Sequence, residues 1–151
     1  MDAYWTEINA SSNPGRLSDA GMTYDASAGY VVLFGGMTYY NSGIEWNCTN
    51  STWTYRAGVW TNLSIPGPPT QLACSPLMAF DPSTGSVIAY LYPNAAPNSV
   101  PSTLMTWEFA NGTWTNLNVS SPRIDVGTMA YYAPAKAVVL VGVERIGRQR
   151  I

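Results

Sequence analysis

Apolar positions along this chain follow two patterns. In "STWTYRAGVWTNL", residues 51–63, polar and apolar residues alternate before "RAG", and Val, Trp and Leu are mixed with Thr and Asn after it. In "VVLFGG", 31–36, and "AVVLVG", 137–142, apolar residues run almost unbroken. Alternation of period two marks a half-buried strand, and a short β-branched run bounded by turn residues reads as a strand buried on both faces. Trp53 and Trp60 lie seven residues apart. On a helix that is two turns, with both rings on one face; in a hairpin each ring sits on its own strand.

A second copy of the segment decides between them. "MTWEFANGTWTNL", 105–117, repeats the pair as Trp107 and Trp114, with Asn111-Gly112 between them. Asn-Gly tolerates φ > 0 at both positions and is the strongest short hairpin signal. The first copy has Gly58 at the matching place, and Val, Trp, Tyr, Phe and Thr all favour strands. Near the start, "YWTEI" supplies Trp5, which matches Trp60 and Trp114 at steps of 55 and 54 residues.

A second element recurs between these copies: "MTYDASAGYVVLFGG" from Met22, "MAFDPSTGSVIAYLY" from Met78 and "MAYYAPAKAVVLVGV" from Met129. Each is a short apolar piece, a turn and an apolar run. In "DPSTG", Asp81 can bond its own backbone, Pro82 is pre-set in φ and Gly85 is free to take φ > 0. Asp25 occupies the matching turn position, which gives both carboxylates a structural role. Lys136 replaces the glycine of the third turn, making it less ideal. Each unit therefore predicts four strands, in the first at 22–24, 31–34, 52–55 and 59–63. A four-stranded unit repeating at about 50 residues is the signature of a propeller blade.

These residues resemble kelch repeats. The resemblance rests on "VVLFGG" with Gly35 and Gly36, on the Trp pair in the last two strands, and on "PGR" (14–16) and "SPR" (121–123) before the next blade. It covers nearly the whole chain, departing where "AYLY" and Gly142-Val143 replace the glycine pair and where Gln71 stands near the Arg position. It implies an all-β fold, a β-propeller of four-stranded kelch-like blades. The blades divide as a blade end at 1–20, blades at 21–70 and 71–121, and a partial blade at 122–151. One strand before the first unit, four, four and two after make eleven, about two and a half to three blades, whereas propellers close with about four to eight. An open stack leaves apolar strands exposed at its ends. The missing blades come from a longer chain or from a homo-oligomer.

Asn9, Asn47, Asn50, Asn62, Asn111 and Asn118 fit Asn-x-Ser/Thr, an excess over chance that points to a glycosylated surface protein. A Thr-rich repeat that copies its own sequons is the plainer account. Asn111 in a hairpin turn is the best site, with Asn47 and Asn50 in a loop next. Asn62 and Asn118 share a strand face with Trp60 and Trp114, expected to be buried. Cys48 and Cys74 suggest one disulfide in a secreted-looking chain. In an up-and-down blade their two connections fall at the same end, and a bridge would contribute roughly 3 kcal/mol. Two separate buried thiols are the alternative. The expected setting is extracellular or at the cell surface. "MDAYWTEINA" has acidic residues and no apolar core, so it reads as a processed or excised boundary, or as a cytosolic start, and not as a signal peptide.

Composition narrows the chemistry. Charged residues are 11% and the net charge is -2, with one lysine and scattered arginines apart from a cluster at Arg145, Arg148 and Arg150. That is no basic stripe for phosphates, and no nucleic-acid partner is expected. The longest apolar run is far below the ~20 residues that span a bilayer. The chain has no histidine. This excludes a Ser-His-Asp triad and His-ligated zinc or copper sites within it, including the copper site of the galactose-oxidase type that the kelch resemblance would suggest. Sialidase-type Asp boxes are absent, and no spaced carboxylate pair stands out. No catalytic residue, metal or cofactor is expected. Long connections at 37–50 and 93–103 lie at one end, and the first carries Tyr39, Tyr40 and Trp46. Exposed loop aromatics bind sugars or peptides; packing over the blade edge is their other use. The sequence therefore reads as a non-catalytic secreted or cell-surface module for a protein or carbohydrate ligand. The alternatives are a propeller portion of a larger extracellular enzyme or adhesin, and a structural surface-layer or filament component.

Overall fold

A computed structural model describes residues 4–8, 10–40, 43, 45–93 and 101–144. The fold is all-β. The first four-stranded sheet holds β1 (Gly21–Asp25), β2 (Tyr30–Phe34), β5 (Thr52–Arg56) and β6 (Val59–Asn62), paired antiparallel in that order. The second repeats the arrangement with β7 (Leu77–Asp81), β8 (Ser86–Tyr90), β9 (Thr106–Ala110) and β10 (Thr113–Asn116). A third unit has the two strands β11 (Ile124–Tyr132) and β12 (Ala137–Glu144). Among the described residues the sheets do not close into a ring.

The turns follow the residues that foretold them. Asp25 Oδ1 accepts the N–H groups of Ser27 and Ala28 at 2.9 and 3.1 Å, and Gly29, at φ 74°, donates its N–H to the Asp25 carbonyl. Asp81 and Gly85 repeat this in the second sheet, where Asp81 Oδ1 also accepts the Ser83 hydroxyl at 2.6 Å. In the third, Ala133–Ala135 form a short 3-10 turn and Lys136 takes the left-handed φ of 49° in place of a glycine. Both tryptophan hairpins turn through two residues with φ > 0, Ala57-Gly58 and Asn111-Gly112, the conformation that matches strand twist.

Strand register assigns every side chain to a face, because directly paired residues share one. On the first sheet Gly21, Phe34 and Thr52 align, as do Thr23, Val32 and Thr54. This forward face meets the rear face of the second sheet, where Met78 aligns with Ala89 and Trp107, and Val87 with Phe109 and Trp114. Together Val32, Phe34, Met78, Val87, Ala89, Phe109 and Trp114 form the main core. The Trp114 ring lies 4.7 Å from Phe34 and 5.1 Å from Phe109, and its Nε1–H donates to Thr52 Oγ1 at 2.8 Å. Gly21 permits the approach: a Cβ there would stand 2.7 Å from Met78 Sδ and 2.8 Å from the Pro76 carbonyl.

The second sheet meets the third in the same sense. Its forward face, with Leu77 and Tyr90, packs on Met129 and Leu140 of the hairpin. Tyr90 carries the polar part of the join: its hydroxyl donates to the Pro122 carbonyl at 2.6 Å and accepts the Ile124 N–H at 2.8 Å. Elsewhere the Tyr30 phenol is pushed above its usual pKa, first by burial and then by the Asp25 carboxylate, its register partner.

Two features differ from the sequence reading. The connection at 37–50 contains a hairpin of its own, β3 (Met37–Tyr40) and β4 (Glu45–Cys48). The segment 4–8, expected as an outer strand, carries none, and Trp5 is 103% exposed. In the repeat, that strand pairs with a preceding strand that the described residues do not supply.

Tyr90→Phe leaves the Ile124 N–H and Pro122 carbonyl without their partner. Urea unfolding should register a loss of about 1–3 kcal/mol; a variant as stable as the parent would remove Tyr90 from this role.

Candidate functional site

The β3–β4 hairpin stands at the end of the sheets away from the Asp25 and Asp81 turns. Gly35 and Gly36, both at positive φ, carry the chain from β2 into it. At Gly35 a Cβ would collide with the Ala73 carbonyl, so the chain passes here only without a side chain. Gly36 donates its N–H to that carbonyl at 2.8 Å, and Met37 exchanges two backbone hydrogen bonds with Ser18. At the far end of β4, Cys48 is bonded to Cys74, 26 residues on, in the link to the second sheet. The expected disulfide is present, and the alternative of two free thiols falls. The hairpin is thus tied to the Ser18 segment, to the first sheet and to the inter-sheet link.

Register sorts its aromatics. Tyr39 pairs with Trp46 on one face, with Met37 and Cys48 beside them; Tyr40 pairs with Glu45 on the reverse face. The three are exposed, Tyr39 at 50%, Tyr40 at 43% and Trp46 at 46%. Tyr39 and Trp46 therefore form one two-ring surface, and Tyr40 is not part of it. Beside them lies an open cleft of about 720 Å³ lined by Gly15, Arg16, Leu17, Ser18, Tyr39 and Gly43. The Ser18 hydroxyl donates to the Tyr39 hydroxyl at 3.3 Å, and Arg16 is exposed. In the sequence Arg16 stands out only as part of "PGR", the counterpart of "SPR" at 121–123. Its place beside Tyr39 depends on the Ser18–Met37 pairing, which no local pattern announces.

A smaller cleft of about 350 Å³ opens where the first strands of the three units begin, lined by Asp19, Ala20, Ser75, Pro76, Leu77, Val126 and Gly127. Among the described residues no group of three or more His, Cys, Asp or Glu side chains is placed to hold a metal ion.

Of the six sequons, Asn9 lies outside the described residues and the other five are exposed. Asn111 is at a hairpin tip at φ 51°. Asn50 already donates its amide to the Pro68 carbonyl at 3.3 Å, which a glycan on that nitrogen would disturb. Asn62 accepts the Ser64 N–H at 2.9 Å through its Oδ1, a bond that does not use the amide nitrogen. Asn118 lies beyond the end of β10 at φ 53° and accordingly escapes the buried face of Trp114. Asn47, Asn50, Asn62 and Asn118 fall at the hairpin end of the sheets and Asn111 at the other.

No family model, curated protein or solved structure matches the chain. The described residues hold no helix long and apolar enough to cross a membrane.

Replacing both Cys48 and Cys74 by Ser should lower stability by roughly 3 kcal/mol. Hydrogen exchange should then show β3 and β4 losing protection before the four-stranded sheets do. Equal protection in parent and variant would mean that the bridge does not hold the hairpin.

Proposed function

We propose that this chain is a run of kelch-like blades from a β-propeller, serving outside the cell as a non-catalytic module that binds a carbohydrate or a protein. The observation that carries the binding role is the Tyr39–Trp46 pair, two exposed rings side by side on a hairpin anchored by a disulfide and by two backbone hydrogen bonds. Aromatic faces stack on sugar rings and on apolar side chains, and a rigid hairpin presents them at low entropic cost. The adjoining cleft adds Arg16 and Ser18, donors that orient a polar ligand. Two four-stranded antiparallel sheets with matching turns and matching tryptophan hairpins support the blade reading. The disulfide supports the extracellular setting, since such bonds persist where the medium is oxidising.

A second reading, a structural component of a surface layer or filament, is favoured by one observation: the two end sheets expose apolar faces.

Glycan and peptide arrays probed with the chain should give at least one ligand class. Trp46→Ala should weaken its binding roughly tenfold or more, about 1.4 kcal/mol. Tyr40→Ala, on the reverse face, should weaken it far less; equal losses at the two positions, or no ligand at all, would sink the site. Secreted from a eukaryotic cell, the chain should lose mass on treatment with an N-glycosidase, and Asn111→Gln should remove one glycan. An unchanged mass would refute the glycoprotein reading.

A further inference from the structure

The three units pack in one sense only. The forward face of the first sheet meets the rear face of the second, and the forward face of the second meets the rear face of the third. Two faces are left over, and they are of opposite kind. The first sheet shows an uncovered rear face, where Met22 and Tyr24 are exposed and Val31, Trp53, Tyr55 and Trp60 half-buried. The third unit shows an uncovered forward face, with Val126, Tyr132, Val139, Val141 and Val143 exposed. Neither set includes a charged residue. Contiguous apolar surface of this extent marks an interaction site.

The rear face of the first sheet carries the residues that are buried on the second. By position in the repeat, Met22 answers to Met78, Tyr24 to Phe80, Tyr55 to Phe109 and Trp60 to Trp114. On the second sheet Met78, Phe109 and Trp114 are buried because a forward face covers them. The Tyr55 and Trp60 ring centres lie 5.0 Å apart at a tilt of 48°, and those of Phe109 and Trp114 lie 5.1 Å apart at 51°, so the rings are already arranged as in the covered case. What the rear of the first sheet lacks is a forward face to cover it, and the third unit offers one.

We propose that copies of this chain associate head to tail, the rear face of the first sheet of one copy docking on the forward face of β11 and β12 of the next. The inference rests on the sheet packing and is independent of any ligand at the β3–β4 hairpin. First strands lie over first strands in both joins seen within the chain, since β1 packs on β7 and β7 on β11. The β1 and β2 strands of the second copy therefore cover β11 and β12. Such an interface joins two different surfaces, so it propagates until the accumulated rotation closes a ring.

The test uses two substitutions at side chains already in water in the single chain, Tyr24→Lys on the rear face and Val141→Lys on the forward face. Sedimentation at tens of micromolar should show the parent as an oligomer larger than a dimer. Each variant alone should associate roughly tenfold or more weakly, because a charge would be buried unpaired. An equimolar mixture should give a one-to-one dimer, formed by the intact face of each, and nothing larger. Val59→Lys, at an exposed valine outside both faces, should behave as the parent. Near-ultraviolet circular dichroism confirms that each variant keeps its fold. A monomeric parent overturns the proposal and leaves the two faces to sheets of a longer polypeptide. A mixture that fails to dimerise, or a parent whose association Val59→Lys impairs equally, also overturns it.

Discussion

A sheet with two apolar faces cannot stand in water alone, and this constraint governs the molecule. The second sheet satisfies it on both sides, and the hub is Trp114. Its ring fills the space between Phe34 and Phe109 while its one polar atom reaches Thr52 on the neighbouring sheet. Burial of so large a ring and satisfaction of its N–H are achieved by one contact, which exists only if the two sheets hold a fixed spacing and register. Gly21 sets that spacing by having no side chain to oppose Met78. The Cys48–Cys74 bridge spans the same boundary at one end, so the hairpin and the core are fastened to one frame.

Much of this was written into the sequence, for local reasons. Asp25 and Asp81 announce their turns because the carboxylate bonds its own backbone, and Asn111-Gly112 announces a hairpin because both residues accept φ > 0. Such signals need no knowledge of distant residues. The β3–β4 hairpin was harder to see. Its strands are four residues each, and its polar half, Glu45 and Asn47, reads as loop. Its pairing is reinforced from outside by Ser18 and by the bridge to Cys74, contacts that the local sequence does not encode.

Trp5 shows the opposite failure. The repeat identified its segment as a strand, and the residue type agrees, yet a strand is a relation between two backbones and the partner is missing among the described residues. The aromatic surface was half legible. Sequence supplied Tyr39, Tyr40 and Trp46, and only the register divides them, placing Tyr39 with Trp46 and turning Tyr40 away. Arg16 joined the site through tertiary pairing alone.

Lys136 is strained into a glycine's conformation at the tip of the β11–β12 hairpin, and it is the chain's one lysine. The β3–β4 hairpin emerges after β2, at the opposite end of the sheets. The side chain of Lys136 is exposed. A linker attached at that side chain would therefore hold the molecule by the tip of the β11–β12 hairpin, with Tyr39 and Trp46 at the end away from the support.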